Sequence, residues 1–348
     1  MTEFYKGKKI LITGSTGFKG SWLAFWLNNL GANVIGYSLE PNTKPSLFSI
    51  LKLENKINQI YGDINNLKEF NGVVKKYNPE IIFHLAAQPI VRESYKDPIY
   101  TFQTNAIGTA NIMECIRLNE CIKGAVIITT DKVYDNKEWI HPYRENDRLG
   151  GFDPYSSSKA MAEIVVDSYK KSFLDKLGKR ICTVRAGNVV GGGDWSTDRL
   201  VPDIVKTIMK DEKLTLRNPN ATRPWQYVLE ALYGYLIMGE KIFENEKYCT
   251  SYNFGPELSD TMKVEDLVKI SIEILGKGKY DIDESLNNGM HEAGLLLLDN
   301  TKAKIMLNWK PKYKIKETLT RTLNWYKTYY NNGDIEKLSL EEINNFNN

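Results

Sequence analysis

The feature that most constrains this chain is a regular alternation of short aliphatic, β-branched runs with helical patterns over its first 190 residues. The runs are KKILITG at 8–14, ANVIGYSL at 32–39, EIIFHLAA at 80–87, GAVIITT at 124–130 and RICTVRAGNVV at 180–190. They lack the polar alternation of half-exposed strands, so they read as parallel strands covered on both faces. Between them Phe18, Trp22, Phe25, Trp26 and Leu30 recur at helical spacing, as do Ile107, Asn111, Cys115 and Leu118. Right-handed crossovers close such an alternation into an α/β fold, a doubly wound parallel sheet with its ligands at the carboxyl ends of the strands.

Beyond residue 190 the alternation breaks into GGGDWSTDRL and RNPNATRPW. The organisation predicted is a dinucleotide-binding domain over 1–190, a smaller substrate lobe over 191–335 and a frayed tail over 336–348. The run SYNFGP at 251–256 reads as a strand able to rejoin the sheet, so the lobes interleave. Lys plus Arg total 46 against 43 Asp plus Glu, which leaves no global field to gather polyanions. With no basic stripe, nucleic acid is not an expected partner. Cys115, Cys121, Cys182 and Cys249 have no C-x-x-C spacing and read as reduced cytoplasmic thiols. His84, His141 and His291 read as core or surface residues, and no metal site is expected. The apolar run Ile10–Ile12 is too short for a signal peptide or a membrane span.

The first strand enters TGSTGFKGSWL, with Gly14, Gly17 and Gly20 at the strand-to-helix turn. Glycines let the backbone turn tightly and let a diphosphate approach the free N–H groups of the helix start. An acid ending the second strand would select NAD, but Ser38 stands there, and NADP is disfavoured by the lack of an adjacent Arg. Asp63 in YGDINNL either meets an adenine or caps a helix. Downstream, Tyr155 and Lys159 in DPYSSSKAMAE share one helix face, so the ammonium can favour the phenolate of a general base. Thr129 and Thr130 end the strand before them.

In order, TGSTGFKG, GDI, HLAAQ, TNAIGT, TTDKVY, YSSSK and RAGNVVGGGD resemble the extended short-chain dehydrogenase/reductase family, which acts on nucleotide sugars. The resemblance spans most of residues 8–230 and implies a Rossmann domain that binds NAD. It implies cofactor contacts from Gly14, Thr16, Gly17, Phe18, Gly20, Ser38, Asp63, Ile64, Ala86, Ala87, Asn105, Tyr155 and Lys159. Substrate contacts are implied for Gln88, Asn188, Arg199, Leu200, Val201, Arg217, Arg223 and Trp225, with Tyr227 as a further wall. The family's 4,6-dehydratases carry Thr-Asp-Glu where this chain has Thr130, Asp131 and Lys132. The Asp-Lys form, with GFKGSW, RLVPDIV and RNPNATRPWQYVLE, is similar to the dehydratases of this group and implies CDP-glucose as the sugar nucleotide.

The catalytic set this implies is Thr130, Asp131, Lys132, Tyr155 and Lys159, with Asp131 as acid. Lys132 is either a neutral base, favoured by burial and by Lys159 nearby, or an electrostatic stabiliser. Lys19 contacts phosphate or sugar, or points to solvent. An epimerase would need Tyr155 and Lys159 but no acid after Thr130, and a dinucleotide sensor would need neither. Relatives pair through two helices, which implies a homodimer with Ile107, Ile112, Met113, Ile164 and Val165 at the seam.

Overall fold

The computed structural model describes residues 2–283, 285 and 294–347, so His291 lies outside the described residues. Its strands are Lys9–Thr13 (β1), Asn33–Ser38 (β2), Asn58–Tyr61 (β3), Ile81–His84 (β4), Gly124–Ile128 (β5), Arg180–Ala186 (β6), Asn188–Val190 (β7), Lys213–Leu216 (β8), Thr222–Tyr227 (β9), Ser251–Phe254 (β10), Thr261–Lys263 (β11) and Lys279–Ile282 (β12). A seven-stranded sheet runs in the order β3-β2-β1-β4-β5-β6-β10 with every pair parallel. The order reverses between β1 and β4, the switch point where a doubly wound sheet opens a crevice.

Alternate residues of each central strand feed opposite layers. Ile10, Ile12, Ile81, Phe83, Val126 and Ile128 pack on one face with Trp22, Phe25 and Trp26 of the helix Phe18–Asn29 and with the helix Val228–Glu244. Leu11, Ile82, Ala125 and Ile127 pack on the other with the helices Leu67–Tyr77, Gly108–Leu118 and Pro154–Tyr169. With both faces apolar, neither phase of the strand has a polar side to show. Ile112 and Met113 belong to this inner layer at 0% exposure, which removes them from the seam assigned to them; Ile107 and Ile164 are exposed.

Past β6 the chain builds a second region. β9 pairs parallel with β7 and antiparallel with β11, and β8 pairs with β12. β10 then returns to the edge of the main sheet beside β6. The tail expected at 336–348 is instead a helix, Ile335–Asn347, and this is a correction. Its Ile335, Ile343 and Phe346 are buried, and Phe346 meets Trp26 and Tyr233 edge-on. The asparagines around them disguised apolar residues set at helical spacing. Among the described residues no helix is long and apolar enough to cross a membrane.

Glu230 ties this region to the core: its Oε1 accepts from the backbone N–H groups of Lys312 and Tyr313, both at 2.7 Å. Burial raises its carboxyl from 4.5 to about 7, the backbone hydrogen bonds opposing. A carboxyl raised on folding stabilises fully below its unfolded value and loses that contribution as pH climbs through the folded one, here between about 4.5 and 7. The difference amounts to about 3 kcal/mol. Glu230→Gln keeps the acceptor oxygen and is expected to flatten the fall in stability over this window, measured by urea unfolding at a series of pH values. Equal slopes in both proteins would refute it.

Candidate active site

Gly14 leaves β1 with φ +74° and its missing Cβ would sit 2.7 Å from the Ala86 nitrogen, so a side chain there is barred by both conformation and space. A Cβ at Gly20 would run into the Gly14 carbonyl oxygen, which lets the helix Phe18–Asn29 start hard against the turn. The turn opens on a cavity of about 1510 Å³ that also reaches the ends of β2, β3, β4 and β5. Single drug-sized ligands fill roughly 300–1,000 Å³, so this cleft has room for two molecules in line.

Thr16, Gly17, Phe18, Gly20, Ser38, Asp63, Ile64, Ala86, Ala87 and Gln88 all line it, as do Gly14, Tyr155 and Lys159. Ser38 shares its hydroxyl with Ser15 at 3.2 Å and accepts from Gln59 Nε2 at 3.1 Å. Glu40, two residues on, supplies the carboxylate on this rim that the sequence reading sought at Ser38. Asp63 accepts from Asn65 N at 2.9 Å, and the cap of the next helix is Asn66. Asn105 does not line the cavity: 1% exposed, it exchanges hydrogen bonds with the Gln88 backbone and donates to Ser158 Oγ, so it positions the wall from behind.

Asp153 caps the helix Pro154–Tyr169, accepting from Ser156 N at 2.9 Å, and thereby fixes Tyr155 in the first turn. Tyr155 is 8% exposed and faces the Thr130 hydroxyl. Burial pushes its phenol up to about 12, while the Thr130 hydroxyl and Arg199 pull it down. Thr130 Oγ1 donates to Asp131 Oδ1 at 2.9 Å, so Tyr155, Thr130 and Asp131 form one cluster lining the cavity. Lys159 is buried, its Nζ donating to the Ile128 carbonyl at 3.0 Å. Burial lowers the amine to about 8, with Glu163 opposing. Lys132 is 28% exposed at its side chain and lies 3.6 Å from the Asp131 carboxylate. The neighbour the structure gives it is thus an anion.

Beneath this cluster lies a buried ion pair that sequence reasoning missed. Arg185 of β6 forks onto Glu163 at 2.9 and 3.0 Å, and Thr129 and Thr183 donate to the same carboxylate. Burial opposes the Glu163 charge, but Arg185 together with the Thr129 and Thr183 hydroxyls outweighs it and holds the carboxyl below its usual value. Glu163 lies one turn beyond Lys159 on the same helix face, the one local hint of it.

At the far end Asn188, Arg199, Leu200, Val201, Arg217, Arg223 and Trp225 line the cavity together with Thr130, Asp131 and Lys132. Arg217 pairs with Asp198 at 3.3 Å and Arg199 with Asp194 at 3.9 Å. Tyr227 is turned away: 2% exposed, it donates to Glu342 at 2.9 Å from the last position of β9, where the chain passes into the helix Val228–Glu244. Among the described residues no cluster of His, Cys, Asp and Glu could hold a metal.

A switch-point crevice with a glycine turn at one end, a tyrosine-lysine helix at its waist and arginines beyond defines an extended short-chain dehydrogenase/reductase. Within that class the chain belongs to the GDP-mannose 4,6 dehydratase family, whose profile matches residues 11–322. It is 42% identical to the CDP-glucose 4,6-dehydratase of Salmonella typhimurium, over 99% of this chain and 97% of that one. Against the dTDP-D-glucose 4,6-dehydratase of Dictyostelium discoideum the identity is 26%, over 97% and 86%. In fold it is similar to a UDP-glucose 4-epimerase of Thermotoga maritima solved with UDP-glucose (TM-score 0.80, 22% identity, 92% and 99% covered). A dTDP-glucose 4,6-dehydratase of Bacillus anthracis in complex with NAD gives 0.78 at 24% identity, with 93% and 98% covered.

Proposed function

We propose that this chain converts CDP-glucose to CDP-4-keto-6-deoxyglucose with bound NAD, losing one water and consuming no net reductant. The observation that carries the reading is the cluster Tyr155, Thr130 and Asp131, a base and an acid set beside each other in the lining of a cavity sized for two ligands. The 42% identity to a CDP-glucose 4,6-dehydratase supports the cytidine nucleotide. The cavity fits the dinucleotide: Gly14 and Gly20 leave the close approach a diphosphate needs, and Glu40 on the rim disfavours a 2′-phosphate.

Bound NAD would supply the hydride acceptor for sugar carbon 4 and the hydride donor for carbon 6. Tyr155 takes the proton of the 4-hydroxyl, and Thr130 holds that oxygen in line. The resulting 4-ketone acidifies the carbon 5 proton; the Asp131 carboxylate takes that proton and passes it to the departing 6-hydroxyl, and the proton held by Tyr155 goes to carbon 5 once carbon 6 is reduced. The Asp131 contact supports the electrostatic role for Lys132, an ammonium facing the charge that develops on the enolate oxygen. Arg199, Arg217 and Arg223 hold the substrate diphosphate from the lobe 191–335, guanidinium forks matching phosphate oxygens. Ile107, Leu118, Met161, Ile164 and Phe173 stay exposed on two adjoining helices and the turn after them, which suits a homodimer seam. The four free cysteines suit the cytoplasm.

The deciding assay supplies NAD with CDP-, dTDP-, GDP- and UDP-glucose in parallel. CDP-glucose is expected to lose one water with no net reduced cofactor. A product of unchanged mass and new stereochemistry would make the chain an epimerase.

A further inference from the structure

The glycine turn ends in Lys19, on the first turn of the helix Phe18–Asn29, and its side chain points into the cavity rather than to bulk solvent. Nζ lies 3.5 Å from the hydroxyl of buried Tyr235 and 5.8 Å from that ring's centre. The charged groups facing it come from four other segments: Arg199 before the helix Leu200–Met209, Lys159 on the helix Pro154–Tyr169, Asp131 after β5, and Asp194 in the loop after β7. Tyr155 acts on Tyr235 from beside them. Burial, Arg199 and Lys159 outweigh the two carboxylates and push the Lys19 amine down to about 7.

We propose that Lys19 is a diphosphate-binding residue that engages the anion as an ammonium and takes up its proton as the dinucleotide enters. The inference rests on the NAD site assigned above. In the ligand-free chain a full charge on Lys19 is crowded by two cations and poorly solvated. A diphosphate at the N–H groups of the same turn reverses that field, so the bound state favours the ammonium. Nucleotide sugars carry a diphosphate as well, but Lys19 belongs to the glycine turn, and we assign the dinucleotide.

Linkage sets the sign. Below about pH 7 Lys19 is charged with or without ligand, and affinity is constant; above it, binding takes up a proton and weakens by up to about tenfold per pH unit. The test titrates the protein calorimetrically with NAD, and separately with CDP, from about pH 6.5 to 8.5 in buffers of differing ionisation enthalpy. NAD is expected to bind with an uptake approaching one proton at the upper end. Lys19→Arg, charged throughout, should bind NAD with that uptake lost and a flat Kd, and Lys19→Met should bind more weakly and equally flat. Wild-type NAD binding with a flat Kd would overturn the proposal, and so would uptake persisting in Lys19→Arg, which would assign it to Lys159. Uptake with CDP and none with NAD would overturn the dinucleotide assignment. Failure of the wild type to bind NAD at any pH would instead sink the cofactor reading on which the inference stands.

Discussion

Tyr155→Phe is expected to lower kcat by roughly 10²–10⁴-fold, the range a positioned acid-base group contributes. The ring is packed at 8% exposure and the substitution removes one oxygen, so the fold should stand and the melting temperature move by a few degrees at most. The loss should fall on kcat with little change in nucleotide-sugar affinity, because the arginines proposed to hold the diphosphate line the far end of the cavity. Steady-state kinetics with CDP-glucose and a parallel binding isotherm with CDP separate the two terms. Loss of CDP binding along with turnover would mean that Tyr155 shapes the cleft rather than moving the proton. The Thr130 hydroxyl and Arg199 are the groups that pull the phenol down against burial, so Thr130→Val should also slow the same step, by less.

How much of this was readable beforehand follows from distance along the chain. Strands β1, β2, β4, β5 and β6 announced themselves because a strand covered on both faces is an unbroken apolar run. β3, half exposed at the sheet edge, left its trace in the GDI that follows it. The short strands β7, β8, β9, β11 and β12 owe their pairing to tertiary contacts and carry no pattern of their own. Within the site, the glycine turn and Tyr155 with Lys159 are local spacings and were legible as such. The Arg185 fork on Glu163 joins residues 22 apart, and the ring of charges around Lys19 is gathered from four separate segments. Neither pattern exists until the sheet is closed. Tyr227 and Asn105 failed for a related reason: a motif marks a neighbourhood, and the end of a strand, for Tyr227, or the helix face, for Asn105, decides which member turns inward.

Asp131→Asn separates the two halves of the reaction. The amide keeps nearly the same shape, and its oxygen can still accept from Thr130, which leaves Thr130 in place beside Tyr155. What it lacks is a carboxylate able to take the carbon 5 proton and pass it to the departing hydroxyl. Oxidation at carbon 4 should therefore proceed while water loss slows by roughly 10²–10³-fold. The sugar held on the enzyme would then be a 4-ketohexose with its 6-hydroxyl intact. Quenching with borodeuteride makes this visible, since deuterium enters at carbon 4 of a hexose that retains all its oxygens. The wild type under the same quench should give the 6-deoxy sugar. If the variant instead returns unlabelled CDP-glucose, carbon 4 was never oxidised and Asp131 acts at the first step through Thr130. The side chain is 2% exposed and its carboxylate faces Lys132 at 3.6 Å, so the variant also leaves an ammonium without its partner. Asp131→Asn combined with Lys132→Met removes both charges. The same accumulation of ketohexose in that pair would show that the missing proton carrier, and not the stranded ammonium, blocks elimination.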